Sequence, residues 1–378
     1  MQRRDFIRRG TLTGLLAGAV GPAAQPLAAL SLGPSPRRLA NGDIRLSSNE
    51  NPLGISEAAR QAVVEAITVA NRYPRDQQDA LVSRLAAAYG VGSNQIVMGV
   101  GSSEVLQMAI QAFAGPRTRL VLADPTYEDA ITYQRPHPYE MLKVPLDSAY
   151  AHDLGRMREA VGSDGRPAVV YICNPNNPTG GITPSAAVDE WIREARENVF
   201  FIIDEAYIEY VDDPAYHTAL PWVAEKPNVL VVKTFSKVYG MAGLRLGYGI
   251  AHPATASRLA DFVAKNNTNQ LALAAAEASF GDEALIQKSV QVNRAAKATT
   301  HGVLDELGLE YLPTQTNFIM HRIAGDLGQY RNRMAEAGLL VGRPFPPMLE
   351  WNRVSFGLPE DMGRFAETLR DFRKKGWV

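Results

Sequence analysis

Between residues 95 and 250, short runs of β-branched and other apolar residues alternate with stretches whose apolar positions recur at helical spacing. The runs predict strands at 96–100, 119–123, 168–173, 200–204, 229–233 and 246–250. Helical periodicity lies between them, at 104–113 and 186–198 among others. Strand–helix–strand alternation predicts an α/β architecture, with a largely parallel central sheet covered on both faces. Beyond residue 265 the pattern turns helical, over 271–280 and 284–307. Two more short strands, 317–321 and 353–356, sit among the C-terminal helices and predict a second, smaller α+β domain. Residues 32–53 are irregular and rich in Pro and Gly, as expected of a segment wrapping a surface or a cleft. The expected organisation is a leader (1–31), a segment joining the small domain (32–70), a large domain (71–275) and a small C-terminal domain (276–378).

The leader has the pattern of an address. Basic Met1-Gln-Arg-Arg-Asp-Phe-Ile-Arg-Arg is followed by an apolar, Gly/Ala-rich stretch and then by small residues around Ala28, Ala29 and Ser31. That order is an export signal, and Arg3-Arg4-Asp5-Phe6-Ile7 resembles its twin-arginine form. Gly10, Gly14, Gly18, Gly21, Pro22 and Pro26 argue against a stable N-terminal helix. The apolar run falls short of the ~20 residues a membrane span needs, so stable membrane insertion is not expected. The expected location is periplasmic or secreted, with the cytoplasm as the alternative.

At 378 residues, with 46% hydrophobic and 21% charged residues, the chain has the balance of a globular protein of two or three domains. Its 39 basic and 40 acidic residues leave a net charge of −1, without the basic excess of a nucleic-acid binder. One cysteine, Cys173, excludes a disulfide framework and a multi-cysteine metal site, and no metal is expected.

Four motifs stand at the predicted strand ends, where ligands of open α/β sheets gather. Gly99-Val-Gly101-Ser102-Ser103-Glu104 opens a helix whose free N–H groups suit a phosphate, although a Gly turn with a Ser cap reads equally well. Asn174-Pro-Asn-Asn177-Pro-Thr-Gly180 either forms a simple turn or holds an Asn toward a ligand hydroxyl. Phe201-Ile-Ile-Asp204-Glu-Ala-Tyr207 buries a carboxylate that wants a cation, or a helix to cap. Thr234-Phe-Ser236-Lys237 leads through glycines to Arg245; it offers an amine and a phosphate-binding fork, or merely a surface lysine in a loop. Taken together, a phosphate cradle, a donor to a phenolic oxygen, a buried carboxylate and an amine match pyridoxal 5′-phosphate.

With these motifs the chain resembles the fold-type-I, pyridoxal-phosphate-dependent aminotransferases of classes I and II, and within them the histidinol-phosphate aminotransferases. Further landmarks are Ser48-Asn-Glu-Asn-Pro52, Tyr73-Pro74, Asp124-Pro-Thr-Tyr127, Thr316-Asn317 and Arg353-Val-Ser. The resemblance implies that Lys237 carries the cofactor covalently and shuttles the substrate proton. It implies that Asp204 keeps the pyridine nitrogen protonated, that Asn177 and Tyr207 bond the phenolic oxygen, and that Tyr127 stacks on the ring. Gly101, Ser102, Ser103, Ser236 and Arg245 would hold the phosphate with help from Thr234, while Tyr73 would reach the phosphate of a neighbouring subunit in a homodimer with shared sites.

The same resemblance puts Asn51 and Arg353 at the substrate, with Arg353 clamping its carboxylate. An arginine that the family places directly after the run 339–341 is displaced here by one position, to Arg343, behind Gly342. Tyr239, Phe345 and Trp351 read either as exposed aromatics suited to a bulky substrate or as ordinary packing. The implied reaction moves an amino group from an amino acid, or an amino-alcohol phosphate, to a 2-oxo acid in ping-pong fashion. The alternatives are histidinol-phosphate aminotransferase of histidine biosynthesis, or a decarboxylase, lyase or racemase on the same scaffold.

Overall fold

The computed structural model describes residues 42–127 and 139–378, so the expected leader lies outside the described residues. Its strands are β1 (Ile44–Leu46), β2 (Ile96–Gly99), β3 (Arg119–Asp124), β4 (Glu140–Pro145), β5 (Ala168–Cys173), β6 (Val199–Asp204), β7 (Val229–Thr234), β8 (Gly247–Ala251), β9 (Phe318–Arg322), β10 (Leu339–Val341) and β11 (Trp351–Ser355). Seven of them form the central sheet, in the order β2-β8-β7-β6-β5-β3-β4. Only β8 runs antiparallel to its neighbours. The six strands expected between 95 and 250 are all present, and β4 joins them at an edge.

Both faces of the sheet are buried, which is why its strands read as continuous apolar runs. Val170, Ile172, Phe201, Ile203 and Val231 pack to one side. Val169, Tyr171, Cys173, Phe200, Ile202 and Val232 pack to the other, under helix Ser102–Phe113. Register pairs Cys173 with Asp204 and Tyr171 with Ile202, so the acid at the end of β6 lies on the face that carries Tyr171 and Cys173.

Residues 32–53 were expected to be irregular. Instead, β1 forms within them and pairs in parallel with β10, bringing the N-terminal segment onto the C-terminal elements. There Ile44, Leu46, Ile319, Leu339, Val354 and Phe365 share a core with the long helix Glu283–Glu306. β9 and β11 pair antiparallel, with Ser355 opposite Phe318.

Candidate active site

The segments that leave the carboxyl ends of β2, β3, β5, β6 and β7 enclose a cavity of about 330 Å³. At one end, Gly101 takes a left-handed φ of 75° just before helix Ser102–Phe113. A Cβ at Gly101 would collide with the Arg245 guanidinium, and one at Gly247 would collide with the Ser102 backbone. Close backbone approach requires the glycine at 247, and the positive φ favours the one at 101. Free helical N–H groups and Arg245 consequently face the same space as Ser102, Ser103 and Ser236. Thr234 Oγ1 donates to Ser236 Oγ (2.9 Å) and accepts from the Ser236 N–H (3.1 Å), which fixes both hydroxyls. This corner is built for a phosphate dianion.

Deeper in, Asp204 is only 2% exposed. Its Oδ1 accepts from the Ala206 N–H (3.1 Å) and its Oδ2 from the Tyr171 hydroxyl (3.0 Å). Burial, with Asp204 beside it, pushes the Tyr171 hydroxyl well above its ordinary value, so it stays a donor. The Cys173 thiol is likewise raised, first by burial and then by Asp204, and is inert as a nucleophile. Asn177 and Tyr207 also line the cavity, and Tyr127 lies near Ser103, hydroxyl to hydroxyl at 3.2 Å. Asn176 braces this lining: its amide donates to Pro125 O and Thr179 Oγ1 and accepts from Thr126 Oγ1.

Lys237 enters the cavity from the loop after β7, and its Nζ lies 3.4 Å from the Asn49 carbonyl. Burial pulls its amine down to about 8, and the Arg353 charge adds to the effect while Asp204 opposes it. An amine that loses its proton near neutral pH is a nucleophile toward carbonyls.

Arg353 lines the cavity as well: its Nη1 donates to Asn177 Oδ1 (2.7 Å) and Nη2 to Ser47 O (2.8 Å), while the buried Nε has no hydrogen-bond partner. Burial lowers Arg353 to about 10, still a cation at neutral pH. Arg343 also lines the cavity, and both guanidiniums lie over the Phe345 ring, at 4.2 and 4.6 Å. A Cβ at Gly342 would collide with the Arg353 carbonyl, so the backbone here leaves no room for a side chain at 342.

Some expected residues are placed elsewhere. Asn51 points away from the cavity: its Nδ2 donates to Val238 O (2.8 Å) and Ser289 Oγ (2.9 Å), and its Oδ1 accepts from the Leu53 N–H. Of the two, Asn49, two residues earlier, lines the cavity. Tyr73 is 80% exposed and does not line the cavity of its own chain. Tyr239, Phe345 and Trp351 are all buried, and only Phe345 touches the cavity. Sequence reasoning missed Asn49, Tyr171 and Ser355. Tyr171 could have been found by counting register back from Asp204.

Residues 41–369 match the family described as aminotransferase class I and II. The chain is 37% identical over 334 residues to histidinol-phosphate aminotransferase 1 of Cupriavidus pinatubonensis, covering 87% of this chain and 88% of that protein. It is 38% identical over 335 residues to histidinol-phosphate aminotransferase 1 of Thiobacillus denitrificans, covering 88% and 86%. The chain belongs to the class I and II aminotransferases.

The solved histidinol-phosphate aminotransferase of Sinorhizobium meliloti, in complex with pyridoxal-5′-phosphate, shares the fold of this aminotransferase: TM-score 0.80 and 24% identity, over 93% of this chain and 98% of that one. The enzyme is a pyridoxal-phosphate-dependent aminotransferase of fold type I, and its cavity fits the cofactor. The glycine-bared helix end beside Arg245 would hold the phosphate, Asp204 would face a ring nitrogen, and the Lys237 amine of lowered proton affinity would take the aldehyde. Among the described residues, no cluster of His, Cys, Asp or Glu could hold a metal ion.

Proposed function

We propose that this aminotransferase takes an amino acid, or an amino-alcohol phosphate, as donor and a 2-oxo acid as acceptor, both held by Arg353. The observation that carries this reading is the Arg353 guanidinium, fixed by Asn177 and Ser47 with its buried Nε unspent beside the amine of Lys237. Bound pyridoxal phosphate supplies an electron sink for the pair left behind when a substrate Cα–H bond breaks. Lys237 Nζ accepts that proton and returns it on the other side of the exchange. Asp204 holds the proton on the ring nitrogen; Asn177 and Tyr207 hold the phenolic oxygen. Buried walls keep water from competing for the proton. Donor and acceptor use one cavity in turn, so the kinetics are ping-pong.

Arg343, sharing the Phe345 ring with Arg353, supports a donor with more negative charge than one carboxylate, either a phosphate dianion or a second acid. The names of the relatives make histidinol phosphate one candidate donor to test. Screening amino acids, histidinol phosphate and other amino-alcohol phosphates with 2-oxoglutarate tests the reading. Glutamate formation that Arg353→Lys weakens at least thirtyfold in kcat/KM, roughly the cost of spoiling a buried charged contact, supports it. Carbon dioxide or racemised substrate without glutamate contradicts it.

The exposed Tyr73 supports a homodimer in which each chain completes its partner's phosphate site. The leader, which precedes the family match starting at residue 41, supports twin-arginine export. Cell fractionation of wild type and of Arg3→Lys/Arg4→Lys checks the latter; equal periplasmic amounts would rule out dependence on the arginine pair. No helix among the described residues is long and apolar enough to cross a membrane.

A further inference from the structure

Asn49 stands at the meeting point of the N-terminal segment, the loop after β6, the lysine loop and the C-terminal strands. It is 2% exposed and adopts φ 52°, a left-handed conformation that Asn tolerates better than most residues. Its N–H donates to Ser355 Oγ (2.8 Å), and Ser355 Oγ donates in turn to Asn49 Oδ1 (2.8 Å). With Oδ1 so engaged, the other end of the amide is committed: Nδ2 donates to the Tyr207 hydroxyl oxygen at 3.0 Å. The Asn49 carbonyl accepts from Asn317 Nδ2 (3.0 Å) and Lys237 Nζ (3.4 Å).

A tyrosine whose oxygen accepts from an amide must send its own proton elsewhere. Tyr207 lines the cavity, and burial raises it above its ordinary value, so the hydroxyl keeps that proton. We propose that Asn49, locked by Ser355, is a positioning residue that aims the Tyr207 O–H into the cavity, at the phenolic oxygen of the cofactor. The proposal rests on the cofactor assignment above and goes beyond it by naming what orients the donor. A hydroxyl donating to that oxygen stabilises its negative charge and so favours loss of the proton from the lysine-linked nitrogen nearby. Because Ser355 ends β11, the same lock makes the aim of Tyr207 depend on how the C-terminal elements are seated.

The test titrates with pH the visible absorbance of the lysine-bound cofactor in the holoenzyme. The variants are Asn49→Gly, which suits the left-handed backbone and adds no charge, Ser355→Ala and Tyr207→Phe, together with both doubles that include Tyr207→Phe. Each single variant should raise the midpoint, Tyr207→Phe by about one unit and the others by roughly half that, a threefold change in proton affinity. Combined with Tyr207→Phe, neither Asn49→Gly nor Ser355→Ala should add a further shift. Unshifted midpoints in both Asn49→Gly and Ser355→Ala, or shifts that persist undiminished in the Tyr207→Phe background, would overturn the proposal. A wild-type holoenzyme with no lysine-bound absorbance would remove the cofactor assignment itself, and the proposal with it.

Discussion

Replacing Lys237 by Met in the apoenzyme should stabilise the fold at neutral pH, because the cavity makes the amine reactive at the expense of stability. Lys237 has its proton affinity lowered from 10.5 to about 8, by burial first and by Arg353 second. The folded chain therefore holds this proton less tightly than the unfolded chain does. Below pH 8 the amine is charged in both states and the full penalty applies, roughly 3 kcal/mol at about 1.4 kcal/mol per unit. Between pH 8 and 10.5 the folded amine gives up its proton while the unfolded one keeps it, and the penalty fades. It should be roughly 2 kcal/mol at pH 9 and near zero at pH 11. Met fills a similar volume without a charge, so Lys237→Met in the apoenzyme should exceed wild type by those amounts. Urea midpoints of the two apoproteins at pH 7, 9 and 11, at one protein concentration, give the difference. A difference that does not change with pH would mean that packing and not charge is responsible. A wild type that is the more stable at pH 7 would refute the assigned environment of the amine.

Other outcomes follow from the same geometry. Gly101→Ala puts a methyl into the Arg245 guanidinium at a left-handed φ, so cofactor affinity in equilibrium titration should fall tenfold or more while the apoprotein still folds. Asp204→Asn keeps the shape but loses the charge that holds the ring-nitrogen proton; kcat in steady-state assays should drop about a hundredfold or more, with cofactor still bound. Lys233 and Glu205 form a buried pair (2.8 Å, side chains 6% and 0% exposed) behind the site. Lys233→Met should cost about 3 kcal/mol, as read by thermal unfolding, because it removes the counter-charge of a buried carboxylate that keeps, among the described residues, only the Thr218 hydroxyl and the Ala219 N–H as donors.

The central sheet was legible because burial on both faces leaves unbroken apolar runs in the sequence. β4 was not, since Glu140–Pro145 is a half-exposed edge strand that mixes charge with apolar residues. β1 and β10 are three residues each, and their pairing joins positions nearly 300 apart, which periodicity cannot report. In the site, the residues that announce themselves by type were readable: an amine after a strand, an acid inside an apolar run, glycines before a helix. Facing was harder. Asn49 and Asn51 look alike in Ser48-Asn-Glu-Asn-Pro52, yet only Asn49, with its left-handed φ, lines the cavity. Likewise, Phe345 and Trp351 are both aromatics near an arginine, yet one borders the substrate space and the other fills a core with Met320 and Met348.

Amino-group transfer here requires the Lys237 amine to share its cavity with the buried acid Asp204. Borohydride reduction of the holoenzyme followed by peptide mass spectrometry tests this most directly. The reduced cofactor should be found on the peptide containing Lys237, and Lys237→Arg should abolish the adduct; its attachment to any other lysine, or to none, would contradict the account.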